Sequence, residues 1–318
     1  MREAETTNGI PPYIRAIRST RQIMLMVLLA LLPAVWTGYC HFGSEAMYHL
    51  AYTVVTAVSV ECVCQLVLKR PVTILDGSAA LTGLLLGMCL PPAAPFWIGP
   101  AGAVVAIVLV KQMYGGLGCN FVNPALTARA LLHISWPTQM SAFVKPYEAI
   151  AAVTPLGVIA DYDSTQAVPS MMQLFNGEIA GCIGETSAMA LMIGGIVLIF
   201  LEVIDYRIPT GIMAAVFITA SLYAGPGSSI GFSFNNGLIH LLSGGTMLAA
   251  FFMATDYVTS PITPKARWLY GVSIGVLTVI IRLWGAYPEG LTFAILLMNI
   301  VAPLMERLTF PRRFGEVR

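Results

Sequence analysis

Apolar runs recur along the chain, some of about 20 residues and others, such as 75–90 and 124–134, shorter, separated by polar, charged or Gly/Pro-broken segments. About 20 is the number a helix needs to cross ~30 Å of hydrocarbon at about 1.5 Å per residue. The runs cover residues 22–42, 47–68, 75–90, 96–113, 124–134, 187–202, 208–223, 238–256, 268–287 and 291–306. A backbone surrounded by lipid must satisfy its own polar groups, which leaves helices or a closed barrel. Runs this long and continuous select helices. The chain is therefore an all-α polytopic membrane protein of about ten transmembrane helices. Only 10% of its residues are charged, against roughly 25% in a soluble domain. A net charge of +1 gives no basic surface for nucleic acid. Arg2, Arg15, Arg18 and Arg21 precede a run of full spanning length, which reads as a span and not as a cleaved leader.

Two of these runs are broken. Residues 115–125 read Gly-Gly-Leu-Gly-Cys-Asn-Phe-Val-Asn-Pro-Ala, with too many glycines for a regular helix. An unwound entry is expected, then a helix that starts at Pro124 with Asn123 as its N-cap. Gly116 and Gly118 are expected to let the backbone approach a cofactor or a neighbouring helix. Asp76-Gly77-Ser78-Ala79-Ala80-Leu81-Thr82-Gly83 resembles Leu242-Ser243-Gly244-Gly245-Thr246-Met247, so a two-fold internal repeat with half-helices is expected. Residues 1–134 then form a first transmembrane half and 186–318 a second. Between them, 135–185 is the one long stretch that is neither strongly apolar nor a short connector, and such loops carry function.

Charge sets the orientation. With the N-terminus inside, all 17 basic residues except Lys145, Arg282 and the span-embedded Arg129 fall on the cytoplasmic side. That places the 135–185 loop outside the cytoplasm. Glu61 and Arg129 lie within spans, where a charge faces a bundle interior or a cavity. Asp256, at the end of its run, reads as a cap near the interface. The six cysteines form no Cys-x-x-Cys pair and the four histidines show no ligand spacing, so no metal site is expected. The Gly115–Gly118 run lacks the Lys-Ser/Thr of a phosphate-binding loop. Pro155 biases Thr154 toward an extended backbone that displays its hydroxyl. From the residues alone this is a Thr-Pro surface turn.

Taken together, the motifs resemble a known family. They are Pro12-Tyr13-Ile14-Arg15, Asp76-Gly77-Ser78, Leu90-Pro91-Pro92, Lys111-Gln112-Met113-Tyr114-Gly115-Gly116, Asn123-Pro124-Ala125, Gly184-Glu185-Thr186-Ser187, His240-Leu241-Leu242-Ser243-Gly244-Gly245 and Phe252-Met253-Ala254-Thr255-Asp256. The chain resembles the RnfD family, the D subunits of the Rnf ion-translocating electron-transport complex. More distantly, it is similar to the B subunits of the Na+-translocating NADH:quinone reductase. The resemblance implies a membrane subunit that couples electron transfer between ferredoxin and NAD to Na+ or H+ translocation across a bacterial inner membrane. It implies partners too: the complex's A, B, C, E and G subunits, a flavin transferase and membrane lipid. It implies FMN joined through its phosphate to a threonine in an Asp-x-x-Ser/Thr-x-Ala-Thr pattern. The aligned residues here are Glu148, Ala151, Val153 and Thr154, followed by Pro155-Leu156, so Thr154 is the expected attachment point. Similar proteins also hold a non-covalent riboflavin, for which the motifs assign no residues. No catalytic residue is expected. The competing class is a solute or ion transporter of inverted-repeat type without a redox role.

Overall fold

The computed structural model describes residues 18–160, 169–185, 187–223, 232–285 and 289–310. The basic residues Arg2, Arg15, Arg312, Arg313 and Arg318 lie outside them. Helices dominate. The first, α1 (Thr20–Val67), begins with a reciprocal cap between Ser19 and Gln22. Gly43, at φ 73°, kinks it into two limbs that hold the first two apolar runs. Next come α2 (Ser78–Met88) and α3 (Ile98–Gln112), whose second half is wound as a π-helix from Val105. Helix α4 (Pro124–Ser135) starts as expected, with Asn123 Oδ1 accepting from the amides of Ala125 at 3.0 Å and Leu126 at 3.3 Å.

The central stretch is more structured than a loop. Val144–Lys145 (β1) pairs antiparallel with Glu148–Ala151 (β2). Two one-turn to two-turn helices follow, α5 (Pro155–Ala160) and α6 (Met171–Asn176). The second half then supplies α7 (Ala188–Phe200), α8 (Arg207–Leu222), α9 (Phe234–Leu242), α10 (Thr246–Met253), α11 (Pro264–Trp284) and α12 (Leu291–Thr309). Helices α9 and α10 bend by 67° at Ser243-Gly244-Gly245. By length and apolarity α1, α11 and α12 can each cross a membrane, and the bent pair forms one further candidate.

Small residues set the helix packing. A Cβ at Gly194 of α7 would come within 2.1 Å of the Ala30 carbonyl of α1. Gly271 of α11 faces Gly211 of α8, where an added Cβ would meet Ile208 O at 2.7 Å. Close backbone approach of this kind replaces the hydrophobic effect as the glue between helices in lipid. The first limb of α1 runs antiparallel to α7. Arg18 donates to Leu201 O, Ala30 meets Gly194, and Gly38 meets Ile183. The first helix of one half thus lies against the first helix of the other in the opposite direction.

The two similar motifs share one backbone feature. Both α2 and α10 start directly after a left-handed glycine, Gly77 at φ 81° and Gly245 at φ 68°. One face of the molecule, the terminal face, carries Ser19, Lys69, Asp205 and Thr263. There Asp205 binds Arg207 at 2.9 Å and Arg267 at 2.5 Å. Burial raises the Asp205 carboxyl, but the Arg207 amide and the two guanidinium groups outweigh it and hold it below the usual carboxylate range. The opposite face, the loop face, carries the β1–β2 hairpin, α5 and α6.

The glycine expectation needs correction. Gly115, Gly116 and Gly118 have φ of 125°, 101° and 87°, while an added Cβ at Gly118 would meet nothing within 4 Å. Backbone conformation, not close approach, requires glycine there.

Candidate functional site

Thr154 lies at the loop face, between β2 and α5. It is not displayed on an extended strand. It is only 7% exposed, and its hydroxyl accepts from the Gly157 amide at 3.2 Å, capping α5 with Pro155 at the first helical position. Leu156, also buried, rests on Gly244: a Cβ there would meet Leu156 Cδ1 at 2.2 Å and Arg282 Nη2 at 2.9 Å. The capped helix therefore sits over the break between α9 and α10.

Beneath that break lies a buried charge centre. Arg282, 6% exposed, donates to the carbonyl oxygens of His240 (2.6 Å), Ser243 (3.2 Å) and Gly244 (3.3 Å) and to Thr246 Oγ1 (2.9 Å). Its Nε has no partner among the described residues. Arg129 of α4 binds Glu185 at 2.8 Å and also Glu289, through the same Nη2. That nitrogen also reaches Cys182 Sγ at 3.5 Å. Glu289 belongs to the turn between α11 and α12. Burial pushes its carboxyl up, Arg129 pulls it down and Glu185 pushes it up again, and the balance lies above the ordinary carboxylate range. Donor atoms of Cys182, Glu185 and Glu289 lie within 4.8 Å of one another, the spread of a metal cage. Arg129 Nη2 contacts all three, so the cation they surround is the chain's own.

A second buried centre occupies the terminal-face side. Lys111, 2% exposed, binds Glu61, 1% exposed, at 2.8 Å and donates to Ser78 Oγ at 2.6 Å. Gln112 Nε2 donates to Glu61 at 2.9 Å and Gln65 Nε2 at 3.3 Å. The charge pattern puts Lys111 on the cytoplasmic surface; it is interior, because Glu61 neutralises it. Arg282, counted on the extracytoplasmic side, is likewise buried. The two centres mirror each other. Each sets a buried cation on the hydroxyl of the first residue of a short helix, Lys111 on Ser78 of α2 and Arg282 on Thr246 of α10.

Between the halves, on the side of the terminal face, is a partly enclosed cavity. Its walls include Leu81, Leu85, Phe251, Phe252 and Tyr257, and its polar positions are Ser78, Thr82, Lys111, Asn120, Asn123 and Asp256. Both π-helical segments contribute, α3 through Lys111 and α10 through Phe251 and Phe252. Pi-bulges commonly mark functional positions. Asn123 ties the halves together there, its Nδ2 donating to Met253 O at 3.1 Å. Asp256 accepts from Thr259 Oγ1 at 3.1 Å, the cap expected of it, but also faces the cavity.

Sequence reading singles out Glu61, Arg129 and Thr154, and misses Lys111 and Glu289, which pair with the first two, and Arg282, which lies under the break beside the Thr154 helix. Glu289 has a signal: an acid in Pro288-Glu289-Gly290, immediately before an apolar run. The π-turn that aims Lys111 inward has none.

Long apolar helices, two broken helices and buried ion pairs around a partly polar cavity define an all-α membrane protein. Residues 8–315 match the model of the NQR2, RnfD, RnfE family, and the chain belongs to that family. It is 45% identical to the D subunit of the Na(+)-translocating ferredoxin:NAD(+) oxidoreductase complex of Acetobacterium woodii, over 100% of this chain and 98% of the relative. It is 38% identical to the D subunit of the proton-translocating ferredoxin:NAD(+) oxidoreductase complex of Clostridium ljungdahlii, covering 96% and 95%. The D subunit of the ion-translocating oxidoreductase complex of Stutzerimonas stutzeri is 37% identical, covering 94% and 93%.

Proposed function

We propose that this chain is the flavin-carrying D subunit of an Rnf complex. In this reading the complex couples electron transfer between ferredoxin and NAD to movement of Na+ or H+ across a bacterial inner membrane. The observation that carries it is the end-to-end match to D subunits whose names state that activity. A match over the whole chain, to subunits of oxidoreductases, leaves little room for a transporter without a redox role. The terminal face is cytoplasmic, as the basic residues argue, and the loop face is outside. The partners are the other Rnf subunits, a flavin transferase and lipid.

FMN is held by a phosphoester to Thr154. The surroundings suit an anion: the guanidinium of Arg282 approaches Leu156 across Gly244 through Nη2 and puts a positive charge near the helix that begins at Pro155. Since Thr154 is buried under its own helix cap, the transferase acts before α5 settles onto Gly244. A second, non-covalent flavin occupies the cavity between the halves. A flat ring system with one polar edge suits apolar walls that carry amide, hydroxyl and ammonium groups along one side. When bound, the two flavins supply one-electron transfer, and the chain supplies their placement and electrostatics. Because the bilayer is about 30 Å thick, carriers on both faces are needed.

The test is fluorescence of the denatured polypeptide in a gel after expression with a flavin transferase. A fluorescent band at the chain's mass supports the tether. A dark band, with the transferase shown to be active on another substrate, contradicts it.

A further inference from the structure

Glu289 is held in an arrangement that a fully ionised carboxylate does not satisfy. One oxygen, Oε2, shares Arg129 Nη2 with Glu185. The other, Oε1, is buried with no hydrogen-bond partner among the described residues. Two carboxylates on one guanidinium nitrogen repel each other, and a buried charged acceptor without a donor bears its desolvation penalty uncompensated. The groups facing Glu289 are Arg129 and His133 from α4, Cys182 and Glu185 from the stretch before α7, Cys89 at the end of α2, and Arg282 from α11. Beside it is a narrow cleft lined by Arg129, His133, Glu289, Thr292 and others, with room for about one water molecule.

A metal cation does not resolve the arrangement, because Arg129 already stands among the donor atoms and would have to be expelled. A proton does, since it neutralises one of the two like charges and leaves the unpartnered Oε1 uncharged, without displacing anything.

We propose that Glu289 is a proton-binding site that exchanges a proton with the loop face, through the cleft beside His133, in step with the charge at Thr154. The O–H bond forms at Oε1, the proton comes from solvent, and no electron passes through Glu289. With both glutamates ionised, Arg129 and Arg282 cancel them. With Glu289 protonated, the centre carries one positive charge, which offsets the negative charge a flavin on Thr154 gains when the complex's redox chain reduces it by one electron. Arg282 links the two places, touching the Gly244 break on which Leu156 rests. This coupling rests on the flavin reading of Thr154; the proton site does not.

The experiment is infrared difference spectroscopy of the full-length subunit across a pH series, comparing wild type, Glu289→Gln, Glu289→Asp and Glu185→Gln. The expected result is a protonated-carboxyl band that grows as pH falls, is absent in Glu289→Gln, returns in Glu289→Asp and survives in Glu185→Gln. A band unchanged in Glu289→Gln, or one lost only in Glu185→Gln, overturns the site. In the same samples, the midpoint potential of bound FMN should vary with pH in wild type, and less steeply in Glu289→Gln. Equal pH dependence overturns the coupling. If the subunit's mass shows no FMN, the coupling falls with the flavin reading, and the infrared band still decides Glu289.

Discussion

Glu61 and Lys111 leave the solvent together, and neither is tolerable alone. Removing one partner of a buried ion pair strands the other charge and costs about 3–5 kcal/mol, whereas replacing both with neutral groups of similar size is often harmless. Glu61→Gln or Lys111→Met should each lower the stability of the detergent-solubilised protein by that amount. The double variant should recover most of the loss. Urea unfolding followed by tryptophan fluorescence measures this; two additive losses would mean the pair contributes nothing. At this scale the sequence shows half of each partnership. Glu61 and Arg129 stand out as charges within apolar runs. Lys111 looks like the polar end of one, because nothing in an apolar run distinguishes α from π winding over residues 105–112. Glu289 and Arg282 sit near span ends, where a charge ordinarily reaches water. Only the packing of α4, α11 and α12 brings them inside.

At the scale of elements, caps and breaks are the most legible features. Asn123-Pro124 forms the cap its residue types dictate, and the Gly77 and Gly245 starts of α2 and α10 fall in the two similar motifs. The hairpin is not legible, since two-residue and four-residue strands present too little alternation. The Gly115–Gly118 run suggests crowding, and the structure shows left-handed backbone in open space instead. The distinction has consequences. Gly118→Ala places a Cβ in open space at φ 87° and should cost about 1–2 kcal/mol, with the subunit still assembling. Gly194→Ala keeps a favourable backbone but drives a Cβ into the Ala30 carbonyl, so α1 and α7 must separate. Size-exclusion chromatography and thermal unfolding should rank Gly194→Ala as the more damaging. The reverse order would restore crowding as the role of the first run.

Across the whole molecule, the apolar cavity lies on the side of the terminal face and Thr154 at the loop face. In a background lacking the exposed Cys40 and Cys119, cysteine at Met172, 68% exposed on the loop face, should react with an impermeant reagent in intact cells. Cysteine at Ile262, 73% exposed on the terminal face, should react only after lysis. The opposite pattern would invert the topology and move Thr154 to the cytoplasm. Membrane class is legible in the sequence. The burial of Thr154 is not, because a Thr-Pro pair starts a helix as readily as it extends a strand, and Gly244, on which α5 rests, lies far along the chain in its second half. Restoring the family pattern with Glu148→Asp, Ala151→Ser and Val153→Ala should leave flavin attachment at least as complete. The most direct measurement is the intact mass of the purified subunit, made with an active flavin transferase, for wild type and Thr154→Ala. Wild type should carry one FMN in phosphoester linkage, and Thr154→Ala none. An unmodified wild-type mass, or an adduct that persists in Thr154→Ala, would contradict the assignment of the tethered flavin to Thr154.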